Sequence, residues 1–324
     1  MKIAVIGGGP AALESAVSAR KFAPEAEIAI YSSENCLPYR RPALSGLLAA
    51  GKSMDPKTFF IKPESFLVEQ KIEFHPGCTA VAIEGKQIRF ADGKTADFDR
   101  LILACGSNAV RLPVPGADGE NVFTLRSCHD LQQIVARLEQ GVERAVVIGG
   151  GVLGLEVAES LLSRNIATVV LEAAPRLFAN TSMSDEVAAG LLEKFNQISD
   201  LQIICGSSVQ EIAPGKVTVA GGSQYPADMV IMAVGSRPDL ALARSAGLQC
   251  GRGVKVDETM RSSREDIFAA GDLAEFNGRC FNLYMDAMAG GKIAGANAAG
   301  ENQRFTATFS PVRFFGLGEK LVIN

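Results

Sequence analysis

The sequence lacks the features that mark several large classes of protein. It has no low-complexity tract, no continuous run of about 18 uncharged apolar residues, and no excess of basic residues, since its net charge is −4. Long apolar runs are typical of membrane-spanning helices, and strong positive charge is typical of proteins that bind nucleic acids or anionic surfaces. The sequence therefore argues against a membrane or a nucleic acid as the main partner.

Cysteine and histidine are too scattered to build several kinds of site. The seven cysteines are odd in number and show neither CxxC nor CxxxxC spacing, which suits reduced thiols better than a disulfide framework. The two histidines, His75 and His129, stand alone, so we expect no metal site and no nucleophilic triad. Because an apolar strand begins directly after Met1, we expect no signal peptide and a cytoplasmic protein.

The chain instead offers length and a repeated pattern. Its 324 residues exceed the usual size of one domain, and 47% hydrophobic residues with 33 glycines are typical of a globular α/β protein. Two stretches share one layout, VIGGGPAALESAVSAR from Val5 to Arg20 and VIGGGVLGLEVAESLLSR from Val147 to Arg164. Predicted strands precede them at Lys2 to Ile6 and Arg144 to Ile148.

Each repeat predicts a β-turn-α-β unit that holds a pyrophosphate. The first glycine permits the tight turn, the second lets a phosphate approach the backbone, and the third position keeps helix and strand close. The N–H groups of the helix N-terminus then face the anion. These positions are Gly7, Gly9 and Ala12 in the first repeat and Gly149, Gly151 and Gly154 in the second. Two such units predict two dinucleotides on one chain.

Longer motifs resemble a known family. GGGVLGLEVA from Gly149 to Ala158 and IFAAGDLAE from Ile267 to Glu275 resemble the two-dinucleotide flavoproteins related to the pyridine nucleotide-disulfide oxidoreductases. LPYRRPALS from Leu37 to Ser45 resembles the branch containing ferredoxin reductases, rubredoxin reductases and the flavoprotein part of NADH-dependent nitrite reductase. The resemblance covers about residues 1 to 300 and implies FAD and NADH as cofactors.

The resemblance implies an α/β fold with two Rossmann-like domains, the NAD-binding domain being inserted in the FAD-binding domain. The expected order is FAD domain 1–115, NAD domain 116–249, FAD domain 250–305, and 306–324 as the start of a truncated C-terminal domain. The glycine-containing segments LPVPGADGEN and CGRGVKV mark the expected seams. Since relatives often dimerise through that last domain, the oligomeric state stays open.

The resemblance also implies roles for individual residues. The implied FAD contacts are Gly7, Gly9, Pro10, Ala11, Ala12, Arg41, Pro42, Ala80, Ala104, Cys105, Gly106, Arg126, Asp272, Tyr284 and Ala287. The implied NADH contacts are Gly149, Gly151, Gly154, Glu172 and Gly235, with Glu156 near the nicotinamide as a candidate catalytic residue. Ser32 stands where an acid would bind the FAD ribose, with Glu34 as the nearby substitute, and Gly46 replaces a lysine that sits by the flavin in relatives.

The implied reaction passes a hydride from NADH to FAD and then electrons to a rubredoxin, ferredoxin or other iron-sulfur partner. We expect NADPH to be the poorer substrate, because a 2′-phosphate would bring like charge against Glu172. Cys36, in CLPY, keeps a second interpretation open, a single-cysteine coenzyme A disulfide reductase or NADH oxidase or peroxidase. A redox-sensing flavoprotein that controls a partner is the third.

Overall fold

The computed structural model describes residues 1–50, 59–306 and 309–323. The α-helices among these residues are α1 Pro10–Phe22, α2 Ala43–Ala50, α3 Glu64–Glu69, α4 Cys128–Leu138, α5 Val152–Leu162, α6 Asp185–Phe195, α7 Ala241–Ser245 and α8 Tyr284–Ala298. A 3₁₀ turn spans Gly271–Leu273. Within the described ranges, no helix is both long and apolar enough to cross a lipid bilayer.

The strands that the structure describes are short and numerous. They are β1 Lys2–Ile6, β2 Glu27–Tyr31, β3 Ile72–His75, β4 Ala80–Glu84, β5 Gln87–Phe90, β6 Thr95–Asp97, β7 Arg100–Leu103, β8 Asn108–Ala109, β9 Val122–Thr124, β10 Arg144–Ile148, β11 Ala167–Leu171, β12 Leu201–Ile204, β13 Val209–Ala213, β14 Lys216–Val219, β15 Gln224–Pro226, β16 Met229–Met232, β17 Ser236–Arg237, β18 Val254–Lys255, β19 Ile267–Ala269, β20 Ala274–Phe276, β21 Arg279–Cys280, β22 Val312–Gly316 and β23 Glu319–Ile323.

The chain divides into two compact units, each assembled from three stretches. Unit 1 takes the described residues of Met1–Arg41, Asp55–Asn108 and Arg237–Ser310, and unit 2 takes those of Pro42–Met54, Ala109–Ser236 and Pro311–Asn324. The long middle stretch of unit 2 therefore interrupts unit 1 in sequence. The predicted domain boundaries, and the assignment of one dinucleotide to each unit, stay predictions.

A five-stranded parallel sheet forms the core of unit 1, in the order β19-β7-β1-β2-β3. Val5 in β1 pairs with Ile30 on one side and Ile102 on the other. β1 is buried from its second residue onward, as expected for a central parallel strand covered on both faces. Strands β4, β5 and β6 form a separate antiparallel sheet in the same unit.

Unit 2 repeats this design with a parallel sheet in the order β12-β11-β10-β16-β9. Val147 in β10 pairs with Val170 and with Ile231. An antiparallel sheet β13-β14-β15 and the hairpin β22-β23 complete the unit. The successions β1-α1-β2 and β10-α5-β11 confirm the predicted α/β class with two Rossmann-like units.

Helices α1 and α8 of unit 1 pack with their backbones in direct contact. A Cβ atom at Gly291 would lie 2.4 Å from the carbonyl oxygen of Ala11, and one at Gly295 would lie 2.0 Å from that of Ser15. The Ser15 hydroxyl also donates to the Gly291 carbonyl at 3.0 Å. Only glycine leaves room for this contact, because real side chains do not approach backbone atoms so closely.

We expect Gly295→Ala to lower the free energy of unfolding of unit 1 by about 1–3 kcal/mol, because the facing Ser15 carbonyl belongs to the backbone. Gly190→Ala in α6 is the matched control, since a Cβ there would meet no atom within 4 Å. Alanine should stabilise unit 2 at that exposed position by up to about 1 kcal/mol. Calorimetry of both variants tests the opposite signs, and an unchanged Gly295→Ala transition would contradict the packing argument.

Candidate functional site

In the first glycine turn, protein atoms occupy the space of a Cβ atom at two glycines and leave it open at the third. A Cβ atom on Gly7, whose φ is +136°, would lie 2.1 Å from the Ala104 carbonyl oxygen, and one on Gly8 would lie 2.1 Å from the Ser32 hydroxyl oxygen. At Gly9 a Cβ atom would meet no protein atom within 4 Å. Gly9 is also the N-cap of α1, and no side chain caps that helix. The open position and the uncapped N-terminus of α1 therefore fit an anionic phosphate.

The second glycine turn has the same geometry in unit 2. Gly149 has φ +116°, and a Cβ there would lie 2.5 Å from the Ala233 carbonyl oxygen. A Cβ on Gly154 would lie 1.9 Å from the carbonyl oxygen of Gly149, which holds helix α5 against the turn. Gly151, the N-cap of α5, again faces open space and has no side-chain cap. Each unit thus carries one cradle that fits a pyrophosphate.

Glu172 follows β11 and turns its carboxylate toward the second cradle. Its Oε2 accepts the Gly150 N–H at 2.6 Å, and its Oε1 accepts the Ala174 N–H at 2.7 Å. Each carboxylate oxygen has a second lone pair, so the group can also accept a hydroxyl. This is the position at which the sequence predicts a ribose contact.

Arg176 forms hydrogen bonds and an ion pair with the segment that follows it in sequence. Its guanidinium donates to the carbonyl oxygens of Leu177, Phe178 and Thr181 at 3.3–3.4 Å, and its Nε forms an ion pair with Asp185 at 2.9 Å. The arginine therefore braces the segment after Glu172. A 2′-phosphate would have to compete with all of these partners for it.

Ser32, at the corresponding place in unit 1, is turned inward. Its side chain is fully buried, and its Oγ both accepts the Glu34 N–H and donates to the Glu34 carbonyl, each at 3.2 Å. The hydroxyl holds the chain as it leaves β2. The ribose contact that the sequence predicts for Ser32 or Glu34 stays a prediction.

Glu34, Tyr39 and Arg41 form a compact charged cluster in unit 1. The Tyr39 hydroxyl donates to Glu34 at 2.7 Å, and the Arg41 guanidinium donates to Tyr39 at 2.8 Å and to Glu34 at 2.5 Å. Burial lowers the pKa of Arg41, but Tyr39, Glu34 and Asp272 outweigh burial and raise it. Ser107 fixes Asp272 through a hydrogen bond of 2.9 Å. Arg41 and Asp272, predicted for the same cofactor, thus share one electrostatic network.

The N-termini of α1 and α8 meet beside the 3₁₀ turn of Asp272. A Cβ on Gly271 would lie 2.9 Å from the Ala11 Cβ and 3.8 Å from the Ala287 Cβ. Three predicted FAD-binding positions, Ala11, Asp272 and Ala287, are therefore adjacent in unit 1. Two helix N-termini at one place favour the binding of negative charge there.

Two cysteines differ in character. The Cys105 side chain is exposed, although its thiol contacts the Ile6 carbonyl at 3.6 Å and surrounding protein raises its pKa to about 12. A thiol with so high a pKa is a poor nucleophile. Cys36 is half-buried.

Glu156 in α5 is held by a serine from a distant part of the sequence. Ser45 in α2 donates its hydroxyl to Glu156 at 2.8 Å, and the Ser160 hydroxyl donates to the Ser45 carbonyl at 2.7 Å. Burial raises the pKa of Glu156, Ser45 opposes this, and Glu159 adds to it. A Cβ on Gly46 would meet no atom within 4 Å, so the position of the missing lysine leaves open space.

The other predicted positions lie at element ends and turns. Tyr284 opens α8, Gly106 and Gly235 have φ of +73° and +97°, and Arg126 precedes α4, its backbone N–H donating to Asp130. Pro10 and Ala12 are buried in α1, Ala80 opens β4, and Pro42 is exposed at the start of a stretch of unit 2.

The sequence reasoning missed the polar partners of the predicted residues. Tyr39 and Ser45 lie inside the motif LPYRRPALS, and Ser107 directly follows the segment Ala104 to Gly106. Their place next to predicted residues was the available signal. Nothing local in the sequence shows which distant carboxylate each hydroxyl contacts.

Replacing Ser45 tests whether its hydroxyl controls the pKa of Glu156. Ser45→Ala should raise the pKa of Glu156 further, because a hydrogen bond that favours the carboxylate is lost. The loss of stability should be about 1 kcal/mol at neutral pH and smaller at acidic pH, where a protonated Glu156 gains less from the hydroxyl. An NMR titration of carbon-labelled glutamate measures the pKa.

Ser163→Ala is the control for this experiment, since that hydroxyl donates to the Ser160 carbonyl rather than to a carboxylate. It should leave the pKa of Glu156 unchanged. If the pKa of Glu156 is the same in wild type and in Ser45→Ala, the Ser45 hydroxyl does not control that pKa.

Known proteins are similar to this chain in sequence over most of its length. A family model described as pyridine nucleotide-disulphide oxidoreductase matches residues 1–300. The rubredoxin-NAD(+) reductase of Pseudomonas putida is 31% identical over 281 residues, which cover 85% of this chain and 72% of that protein. The NADH oxidase of Methanocaldococcus jannaschii is 30% identical over 324 residues, covering 94% and 71%.

A solved structure shows the same fold. The NAD-dependent persulfide reductase from A. fulgidus matches with a TM-score of 0.91 at 27% identity, covering 98% of this chain. This chain spans 62% of that protein, less than two thirds of its length. The predicted enzyme class, an FAD-dependent NAD(P)H oxidoreductase, and the predicted cofactors are confirmed by the family match and the relatives. The family model matches residues 1–300, and a strand of each of the two parallel sheets is followed by a glycine turn that fits a phosphate. This chain therefore belongs to the pyridine nucleotide-disulphide oxidoreductase family.

Proposed function

We propose that this protein binds FAD in unit 1 and NADH in unit 2, and delivers electrons one at a time to a rubredoxin, a ferredoxin or another iron-sulfur protein. The observation that carries the proposal is the pair of cradles. Gly9 and Gly151 are each the N-cap of a helix, and a Cβ atom there would meet open space. A Cβ atom on the glycines that precede them would instead clash with protein atoms. A chain with two such cradles is suited to two dinucleotides. We place this activity in the cytoplasm.

When bound, FAD would supply the hydride-accepting and single-electron chemistry of this reaction. The protein's own residues bind and orient. The N-termini of α1 and α5 bind phosphates, and the Asp272 carboxylate accepts hydroxyl hydrogen bonds. Arg41 supplies a positive charge that Glu34 and Tyr39 fix in place. Ser45 fixes the Glu156 carboxylate, which we assign to the nicotinamide end of the dinucleotide.

The choice of electron acceptor rests on the cysteines and on the relatives. No two of the seven cysteines show the spacing of a redox-active pair, which favours electrons leaving directly from the flavin. The rubredoxin reductase of Pseudomonas putida acts, by its name, on a small iron-sulfur protein. The NADH oxidase and persulfide reductase favour, as the second candidate, a reaction that uses Cys36.

The proposal is tested by mixing the protein with NADH without oxygen and then with rubredoxin or ferredoxin. We expect a yellow protein with one FAD per chain, reduction of the flavin by NADH, and reduction of the iron-sulfur protein. Cys36→Ser should retain the rate within about three-fold, since direct transfer needs no thiolate near the flavin. Cys250→Ser is the control for loss of a half-buried thiol.

A loss of about a hundred-fold in Cys36→Ser alone would instead establish the single-cysteine reaction, since that mechanism depends on the thiolate. A protein that takes up no FAD would contradict the proposal as a whole. One that binds both nucleotides without turnover would favour a redox sensor.

Glu172 should give a preference for NADH over NADPH. Two unit charges about 4 Å apart repel by roughly 4 kcal/mol at an effective dielectric of about 20, and solvent screening leaves about 1–3 kcal/mol. The expected ratio of kcat/KM is therefore about ten- to a hundred-fold in favour of NADH. Glu172→Ala should lower this ratio toward one. The exposed Glu186 in α6 offers the matched control, Glu186→Ala, which should keep the ratio. An unchanged ratio in Glu172→Ala would show that this carboxylate does not read the ribose.

A further inference from the structure

The C-terminal hairpin packs into unit 2 through one face. Strands β22 and β23 pair antiparallel from Val312 with Ile323 to Gly316 with Glu319. Successive side chains of a strand point to opposite faces, and the two neighbouring phenylalanines differ accordingly. Phe314 is fully buried, whereas Phe315 is 54% exposed.

Phe314 contacts two aromatic rings of unit 2. Its ring centroid lies 5.3 Å from that of Phe178 and 6.3 Å from that of Phe195, with interplanar angles of 63° and 62°. These are edge-to-face contacts, which stabilise an aromatic pair beyond the burial of its surface. The hairpin is thereby fixed to the loop that contains Phe178.

Phe178 has a backbone that needs this support. Its φ is +52°, a left-handed conformation that a bulky side chain rarely adopts and that persists only when the surroundings hold it. In this conformation its N–H donates to the Gly150 carbonyl at 3.2 Å. The side chain that Phe314 packs against therefore belongs to a residue that binds the second glycine turn.

The contacts continue to the carboxylate at the cradle. The Gly150 N–H donates to Glu172 at 2.6 Å, and the Leu177 side chain would lie 2.8 Å from a Cβ atom on Gly150. A continuous series of contacts thus runs from Phe314 through Phe178 and Gly150 to Glu172. Each link belongs to unit 2.

The turn of the hairpin makes a second attachment, to helix α5. The N–H of Leu317, whose φ is +50°, donates to the Glu159 carboxylate at 2.8 Å. Helix α5 begins at the open glycine cradle. The hairpin is therefore bound to both elements that border this cradle, the helix and the loop after β11.

We propose that the hairpin positions the NADH site, and that Phe314 is its positioning residue. Phe314 holds Phe178 in its strained conformation, and Phe178 in turn fixes the turn and Glu172 for the adenosine half of the dinucleotide. This inference rests on the proposed binding of NADH at this cradle. Phe314 acts on binding and touches no reacting atom.

The test compares Phe314→Ala with Phe315→Ala, its neighbour on the exposed face. Phe314→Ala should raise the KM for NADH and the Kd for NAD⁺ by about ten-fold, with kcat changed by less than about two-fold, the pattern expected when ground-state binding is lost. The FAD content and flavin spectrum should stay as in wild type. Phe315→Ala should match wild type in every measurement.

Phe314→Leu keeps an apolar side chain and serves where the alanine variant does not fold. It should show a smaller rise in both constants, of about three-fold, because leucine fills part of the space without the edge-to-face contacts. A partial rescue of this kind supports positioning.

Wild-type constants in both Phe314 variants would overturn the inference. So would an equal loss of affinity in Phe314→Ala and Phe315→Ala, or a fall in kcat at unchanged KM. Wild-type protein that bound no NAD⁺ would instead overturn the proposed function on which the inference rests.

Discussion

A backbone carbonyl oxygen lies where the first glycine of each turn would carry a Cβ atom. The Ala104 oxygen occupies this place at Gly7 and the Ala233 oxygen at Gly149. Both oxygens belong to chain that leaves the neighbouring parallel strand, so each turn is pressed against the carboxyl end of its sheet. The helix that follows must then start at the sheet edge with its N–H groups directed outward, which is the arrangement that binds a phosphate. The rest of each site is arranged around that contact.

The charges around the two cradles are balanced in different ways. Arg41 is held by an acid and a phenol, so the energetic cost of burying its charge is offset by hydrogen bonds of good geometry. Glu156 has the Ser45 hydroxyl as a partner, and burial raises its pKa. A carboxyl with a hydroxyl partner changes its charge more readily with pH than one in an ion pair.

Local patterns predicted the parts of the fold that depend on local structure. Strands Lys2–Ile6 and Arg144–Ile148 and the glycine turns were readable from apolar runs and glycine spacing. The partner of Glu156 was not, because Ser45 is 111 residues away and a hydroxyl gives no sign of its acceptor. The contact of Phe314 with Phe178 was not readable either, because these residues lie far apart in sequence and only the fold brings them together.

The interrupted order of unit 1 also governs how the protein forms on the ribosome. Strands β1, β2, β3 and β7 emerge early, but β19, which closes the sheet beside β7, lies at residues 267–269. The parallel sheet of unit 2, from β9 to β16, is contiguous in sequence and complete by residue 232. A nascent chain can therefore assemble the later sheet while the earlier one still has an open edge, which is a surface prone to pairing with other chains. Synthesis from the N-terminus thus exposes the first sheet to aggregation for longer than the second.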